Sequence, residues 1–509
     1  MTDFVEKPIS FWIDSTPQSQ FPSLQGSVSV DVAIVGAGIA GITAATLLKR
    51  AGKTVAVIEA ARVGTGVSGH TTAKVTALHQ LIYAELIKQQ GETKARLYAE
   101  SNQAAVEQVA QLIEQDGIEC DFSRQSAYTF AESDDTLGQV EEEVEAALKL
   151  GLPVALVQAT SLPFPIAGAI KLDRQVQFHV RKYLMHLANS IPGSGSYVFE
   201  QSRVQHVEEG QPCEVLTDRG TVQAKDVIVT TNLPILNQGL FFAKAYPKRS
   251  YLIGVPIDPA AAPVGMYIGA GSDYYSIRTT PYGDRLLLLI GGGGHKVGTV
   301  THTQERYHKL AAFAQSRFGI DSIAYRWSTQ DMVSFDKLPF IGKLTPFNNH
   351  IYVATGFSLW GMSKGTLSGM LLTDMILGRE NPWAELYDAT RATPFITPQS
   401  IKENIEVGVH WLGDRLKGLQ TSSTRDVAQG EGKLLTLDGE KVAVYRDHQG
   451  KCHGVSAVCT HLGCIVDWND AERSWDCPCH GARFDYDGAV LHGPAINPLK
   501  QKVVEGVEG

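Results

Sequence analysis

The sequence predicts an α/β protein: a parallel-sheet domain with an inserted α+β domain, followed by a small all-β domain. Two observations carry the expectation. Asp31 to Gly36 reads as a buried strand (DVAIVG), Ile39 to Ala51 as a helix and Thr54 to Ala60 (TVAVIEA) as a second strand. This βαβ opening commits the chain to a parallel, Rossmann-like sheet. The last stretch of about 90 residues instead alternates short strands with tight glycine turns, and the polar segment TSSTRD before it reads as a linker. With 509 residues the chain has room for about three domains.

The remaining elements follow in order. From Glu85 to Leu150 the pattern is helical and acidic, which suits a second domain. Lys225 to Thr231 (KDVIVTT) is an apolar strand ending at Asn232-Leu-Pro234, and His350 to Ala354 (HIYVA) is another that runs into Gly356; both resemble strands that end at a ligand crevice. Between them, Pro247 to Trp327 alternates as an antiparallel sheet over a pocket would. Thr366 to Leu377 reads as an apolar helix and Ser400 to Leu416 as an amphipathic one.

Apolar residues make up 43% and charged residues 19%, which excludes a disordered or collagenous chain. The net charge of −9 leaves no basic stripe for nucleic acid or anionic lipid, so small molecules and proteins remain as partners. Asp3 and Glu6 stand where a secretory signal would carry Lys or Arg, and no long apolar run follows, so a cytoplasmic protein with no transmembrane span is expected. Four of the seven cysteines fall between Cys459 and His480. Such clustering indicates chemistry rather than packing. Cys120, Cys213 and Cys452 have no partner motif and are expected to be inert.

Gly36-Ala-Gly38-Ile-Ala-Gly41 lies between a strand and a helix, and Glu59 ends the next strand. Gly36 permits the tight turn, Gly38 lets the backbone approach a pyrophosphate, and Gly41 lets helix and strand pack. Glu59 can accept both ribose hydroxyls, and its charge disfavours a 2′-phosphate. The fingerprint alone does not separate NAD from FAD.

Three further segments do. Arg62 to Ala73 (RVGTGVSGHTTA), Asp336 to Gly342 (DKLPFIG) and Ala354 to Gly369 (ATGFSLWGMSKGTLSG) resemble the flavin-binding segments of the D-amino-acid oxidase (DAO) family of FAD-dependent oxidoreductases, over residues 28 to about 390. The resemblance implies a DAO/glutathione-reductase-like FAD-binding domain, with Glu59 on the ribose and Arg62, Ser68, Thr71 and Thr72 near the pyrophosphate and isoalloxazine. It places Gly356, Gly361, Met362, Ser363 and Lys364 near the pyrimidine ring, at a helix N-terminus suited to negative charge on the reduced flavin. Family enzymes oxidise a C–N bond. His70 stands where related amine oxidases often have Arg, either as a covalent flavin link or as a noncovalent flavin-site residue. Lys364 is a candidate support for reduced flavin, the alternative being a solvated lysine at a helix start.

Cys459-Thr-His461-Leu-Gly-Cys464 and Cys477-Pro-Cys479-His480-Gly481 resemble the two boxes of Rieske proteins of the cytochrome bc type, over about Val427 to Glu508. The resemblance implies a [2Fe-2S] cluster held by Cys459, His461, Cys477 and His480, two thiolates on one iron and two imidazoles on the other. Family precedent joins the second cysteines, here Cys464 and Cys479, in a disulfide, against which a reducing cytoplasm works. Structural zinc is the alternative use of such a ligand set. In high-potential relatives, box two continues with a Ser and a Tyr whose hydroxyls donate to cluster sulfurs; here those places hold Ala482 and Phe484.

The resulting organisation is a discontinuous FAD-binding domain (residues 28–80, 165–235 and 330–390), a substrate domain (81–164 and 236–329), a helix and linker (391–425) and a Rieske domain (426–509). A Rieske oxygenase would also need a mononuclear iron site, and no Asp-x-x-His-x-x-x-x-His motif is present. The expected activity is oxidation of an amine or amino acid by FAD, with electrons passing through the cluster to an external acceptor such as a ferredoxin-like protein or quinone. The alternatives are the reverse flow, from a ferredoxin-like donor to the flavin, and a redox sensor without turnover.

Overall fold

A computed structural model describes residues 6–320, 322–395, 400–402 and 423–504. Most of the helix expected at Ser400 to Leu416, and the start of the linker, lie outside these residues.

The first sheet is built on strand Gly26–Val35, whose last four residues do not alternate and are all apolar because both faces are covered. It pairs in parallel with Val55–Ile58 on one side and Gly220–Val229 on the other. Tyr197–Phe199 and Ile351–Thr355 extend the parallel sheet, and Phe340–Lys343 closes it as an antiparallel edge. Helix Ile39–Arg50 starts at the glycine turn and is buried along most of its length. Against it lies helix Gly361–Ile376, and a Cβ on Gly365 would stand 2.6 Å from Ile39 Cγ2, so small residues let the two axes approach.

The second sheet has nine strands, mainly antiparallel, and its long central members are Ala245–Ile257, Ser276–Tyr282, Arg285–Lys296 and Tyr325–Ser334. Its core is aromatic and aliphatic, with Tyr251, Ile253, Tyr267, Leu288 and Ile290 buried. Three segments expected in the FAD-binding domain lie here instead: Lys74–Val75 pairs with Gly168–Gln177, which itself pairs with Ser123–Ala131, and Gln330 to Ser334 complete Tyr325–Ser334. In all three, cross-strand pairing over the shared crevice decides the membership, which sequence separation does not show. Strand Ser123–Ala131 also interrupts the stretch read as helical, between helices Glu92–Asp116 and Asp134–Lys149.

The C-terminal part is all-β, with a three-stranded sheet over residues 432–456 and a four-stranded one over 467–492. Trp475, Phe484, Ala482 and Tyr445 form its core. Among the described residues no helix is long and apolar enough to cross a membrane.

Candidate functional site

A cavity of about 670 Å³ runs along the C-terminal ends of the parallel strands and under the nine-stranded sheet. At its nucleotide end Gly36 has φ +107°, and a Cβ there would stand 2.9 Å from Thr230 O, so the tight turn excludes a side chain. Ser68 Oγ accepts from Ile39 N at 3.0 Å, beside Gly38, and so fixes the loop that faces the helix N-terminus. Glu59 accepts from Ala37 N and Ala61 N, each at 2.9 Å. Burial raises its carboxyl pKa, and those N–H groups and the nearby Arg203 oppose the rise.

Gly36, Gly38, Glu59, Ser68, Thr71, Thr72, Gly361, Met362 and Lys364 all line this cavity. The other five residues expected there act around it. Gly41 packs under the turn, where a Cβ would stand 2.0 Å from Gly36 O. Arg62 hydrogen-bonds Ser19 O and pairs with buried Glu200 at 3.3 Å. Gly356 packs on Phe340, and Ser363 Oγ meets His79 Nε2 at 2.9 Å. His70 Nδ1 meets Gly66 O at 2.8 Å, and the charges of Glu472 and Arg483 act on its ring from the C-terminal domain.

Lys364 is not solvated. The helix begins at Gly361 rather than Thr366, which carries Lys364 inside, 1% exposed, where burial brings its pKa down to about 7. Buried Asp331 faces it, pushed up to about 6 by burial and held by the N–H groups of Leu359 and Met332. Motif reading also missed the rest of the wall. Trp360 stacks on His79 at 4.7 Å, and strand Ala245–Ile257 presents Tyr246, Lys248 and Ser250 to the cavity from one face. Period-two alternation is the signal that would have found those three.

The two cysteine-histidine loops form adjacent tight turns, closed by Gly463 N to Cys459 O and Gly481 N to Cys477 O, both 3.0 Å. A Cys464–Cys479 disulfide ties them together. Cys459 and Cys477 are buried, unbridged and in contact with each other. The His461 and His480 rings lie 5.0 Å apart, and both Nδ1 atoms are buried with no hydrogen-bond partner. Burial lowers the pKa of His461 to about 4 and that of His480 to about 3, so both rings are neutral and their lone pairs are free for a metal.

One tetrahedral zinc would draw four ligand atoms to within about 4 Å of one another. Among the described residues only Cys464, Cys477 and Cys479 gather three ligand atoms within 4.8 Å, and two of those sulfurs are spent in the disulfide. A thiol pair set apart from an imidazole pair suits a two-iron cluster.

The cluster loops face the flavin-binding part of the chain. His461 Nε2 meets Asn237 Oδ1 at 2.9 Å, Phe242 packs edge-on against His480 at 5.2 Å, and Gln330 Nε2 donates to Gly481 O at 2.7 Å. Arg249, 1% exposed, binds Ser328, Gln330, Glu472 and Asp476, while Arg483 binds the same two acids. Gly298 touches Pro478, where an added Cβ would stand 2.2 Å from Pro478 Cβ. Leu491, His492, Gly493, Ala495 and Ile496 of the C-terminal domain line the cavity itself.

Residues 31–375 match the family model described as DAO, FAD dependent oxidoreductase, and residues 419–503 match the Rieske [2Fe-2S] domain. The Bacillus subtilis (strain 168) protein YhfW, which carries the name of a Rieske 2Fe-2S iron-sulfur protein, is 37% identical over 97% of this chain and 98% of its own length. Gamma-glutamylputrescine oxidoreductase of Escherichia coli (strain K12) is 26% identical over 74% of this chain and 89% of its own. Glycine oxidase from Geobacillus kaustophilus superposes with a TM-score of 0.61 at 19% identity, covering 72% of this chain and 99% of that one, which shows a shared fold. The chain therefore belongs to the DAO family of FAD-dependent oxidoreductases and is an enzyme that binds FAD and, in a C-terminal Rieske domain, a [2Fe-2S] cluster.

Proposed function

We propose that this enzyme is an amine or amino-acid dehydrogenase that passes electrons from FAD to the Rieske centre within one chain and on to an external one-electron acceptor. The observation that carries the reading is the shared wall: the C-terminal domain lines the flavin cavity while its cluster loops pack on the same body. Bound FAD supplies two-electron oxidation of the substrate, and the cluster supplies one-electron steps.

The chain's own residues set up the substrate side. Tyr246, Tyr274 and Trp360 offer flat apolar surface in the cavity. Lys248 lines it without a hydrogen bond or ion pair among the described residues, while Lys337 pairs with Glu85 at 3.6 Å. Burial, then the neighbouring Lys337 charge, lowers the Lys248 pKa. The Lys248 ammonium lies over the Tyr274 ring at 5.6 Å but has no carboxylate partner among the described residues; such a cation in a half-closed cavity favours a ligand carboxylate, which points to an amino acid. Lys364, poised near neutrality and facing Asp331, is the group suited to take a proton from the substrate ammonium. Cys459, His461, Cys477 and His480 would hold the cluster, and Asn237 and Phe242 orient its histidines.

The test is anaerobic titration of the holoprotein with a panel of amines and amino acids, read by flavin bleaching and by the EPR signal of the reduced cluster. Bleaching followed by the cluster signal is expected for at least one carboxylate-bearing amine. Flavin that no member reduces, together with a cluster that ferredoxin-like donors reduce first, would reverse the direction.

A further inference from the structure

We propose that His492, delivered by the Rieske domain, is a hydrogen-bond donor to FAD, and that Asn232 is the positioning residue that fixes its orientation. The inference goes beyond the direction of electron flow and holds for either direction.

His492 ends strand Val490–His492, after the second cluster loop, and it lines the flavin cavity. It sits at the nucleotide side. Asn232 follows strand Gly220–Val229 by three residues, and Thr230, two residues before it, touches the Gly36 turn. The Asn232 side chain settles which ring nitrogen carries the proton. Its Nδ2 lies 3.2 Å from Gln330 O, an oxygen that can only accept, so the amide nitrogen must point that way. The same Nδ2 lies 3.0 Å from His492 Nε2, to which it gives its second proton.

Nε2 is therefore the bare nitrogen, and the neutral ring holds its proton on Nδ1. Burial, then the charges of Arg483 and Arg249, keeps the ring neutral. Among the described residues Nδ1 has no hydrogen-bond partner. Asn232 itself is held firmly: it has φ +64°, and its carbonyl accepts a hydrogen bond from Thr355 Oγ1. A rigid donor with no protein acceptor, on the wall where the dinucleotide lies, is matched by an acceptor atom of FAD.

The experiment uses full-length holoprotein carrying His492→Ala, His492→Phe, His492→Asn or His492→Gln. Each is measured for its FAD dissociation constant, from the fluorescence of flavin released on dilution, and for its cluster EPR spectrum. An Asn amide nitrogen falls near the place of Nδ1, and a Gln amide nitrogen near that of Nε2. Ala, Phe and Gln are each expected to weaken FAD binding about tenfold, the loss of one hydrogen bond, and Asn to stay within about threefold of the parent, all with an unaltered cluster spectrum. The Phe variant fills the space of the ring and carries the test if Ala does not fold. Parent-like FAD affinity in both Ala and Phe overturns the proposal. Rescue by Gln but not by Asn also overturns it, since the donor would then be Nε2.

Discussion

Asn237 Oδ1 accepts a hydrogen bond from Nε2 of His461 at 2.9 Å, so a residue of the flavin-binding body grips the outer edge of a proposed cluster ligand. An acceptor on the far nitrogen raises the basicity of a ligating imidazole and stabilises the oxidised metal. Asn237→Leu should therefore raise the cluster midpoint, by on the order of 40 mV for one lost hydrogen bond, in an EPR-monitored titration. An unchanged or lower midpoint would show that the contact only packs.

The second prediction concerns the cluster sulfurs. Ala482 and Phe484 are both fully buried beside the loops and carry no hydroxyl. Without hydroxyl donors the added charge of the reduced cluster is less stabilised, so the midpoint should lie below about +75 mV, in the lower half of the Rieske range. Ala482→Ser combined with Phe484→Tyr should raise it. A parent value near roughly +250 mV would contradict the argument.

Lys248 gives a third test, which rests on the amino-acid reading. Lys248→Met should raise KM for a carboxylate-bearing substrate about 10- to 100-fold, while kcat stays within about twofold, because the ammonium binds ground and transition states alike. The corresponding amine without a carboxylate should lose little. Equal losses for both compounds would remove the carboxylate assignment.

A fourth prediction follows from the buried ions between the domains. Burial would raise the Glu472 carboxyl, but Arg483 and Arg249 hold it below the usual range. A carboxylate depressed in the folded state contributes stability that is complete above its unfolded pKa, about 4.3, and is lost as pH falls through the lower folded value. Docking of the Rieske domain should accordingly weaken below about pH 4. Arg249→Met, which leaves two acids sharing Arg483, should lower the melting temperature and move this acid transition to higher pH, as followed by calorimetry and limited proteolysis of the linker. A melting curve that matches the parent at every pH would contradict it.

The residues that sequence reading reached are those whose chemistry is local. Gly36, Gly38 and Glu59 answer to one turn and one strand end, and the Cys-x-His and Cys-x-x-His loops each close within a few residues, so short motifs locate them, the second pair through its resemblance to the Rieske boxes. The sequence pattern places a helix from Thr366, which leaves Lys364 before its start as either a support for reduced flavin or a solvated lysine. The helix nonetheless starts at Gly361, and the packing of its Gly365 on Ile39 and its Gly369 on Thr43 favours glycine inside it. Lys248 and His492 carry no motif. The first becomes a site residue through strand pairing and the second through docking of a separate domain, and neither event leaves a short-range pattern in the chain.

Gly298, with φ +83°, touches Pro478, the residue between two cysteines of the second cluster loop. Any side chain at that point would act as a wedge, pushing the iron–sulfur domain outward from the flavoprotein body. Electron tunnelling falls off exponentially with separation, so a single methyl group there would act as a spacer on the rate of transfer while leaving all four cluster ligands in place, and it would also draw Leu491 and His492 back from the flavin cavity. The absence of a side chain at Gly298 thus sets how closely the two redox centres can approach.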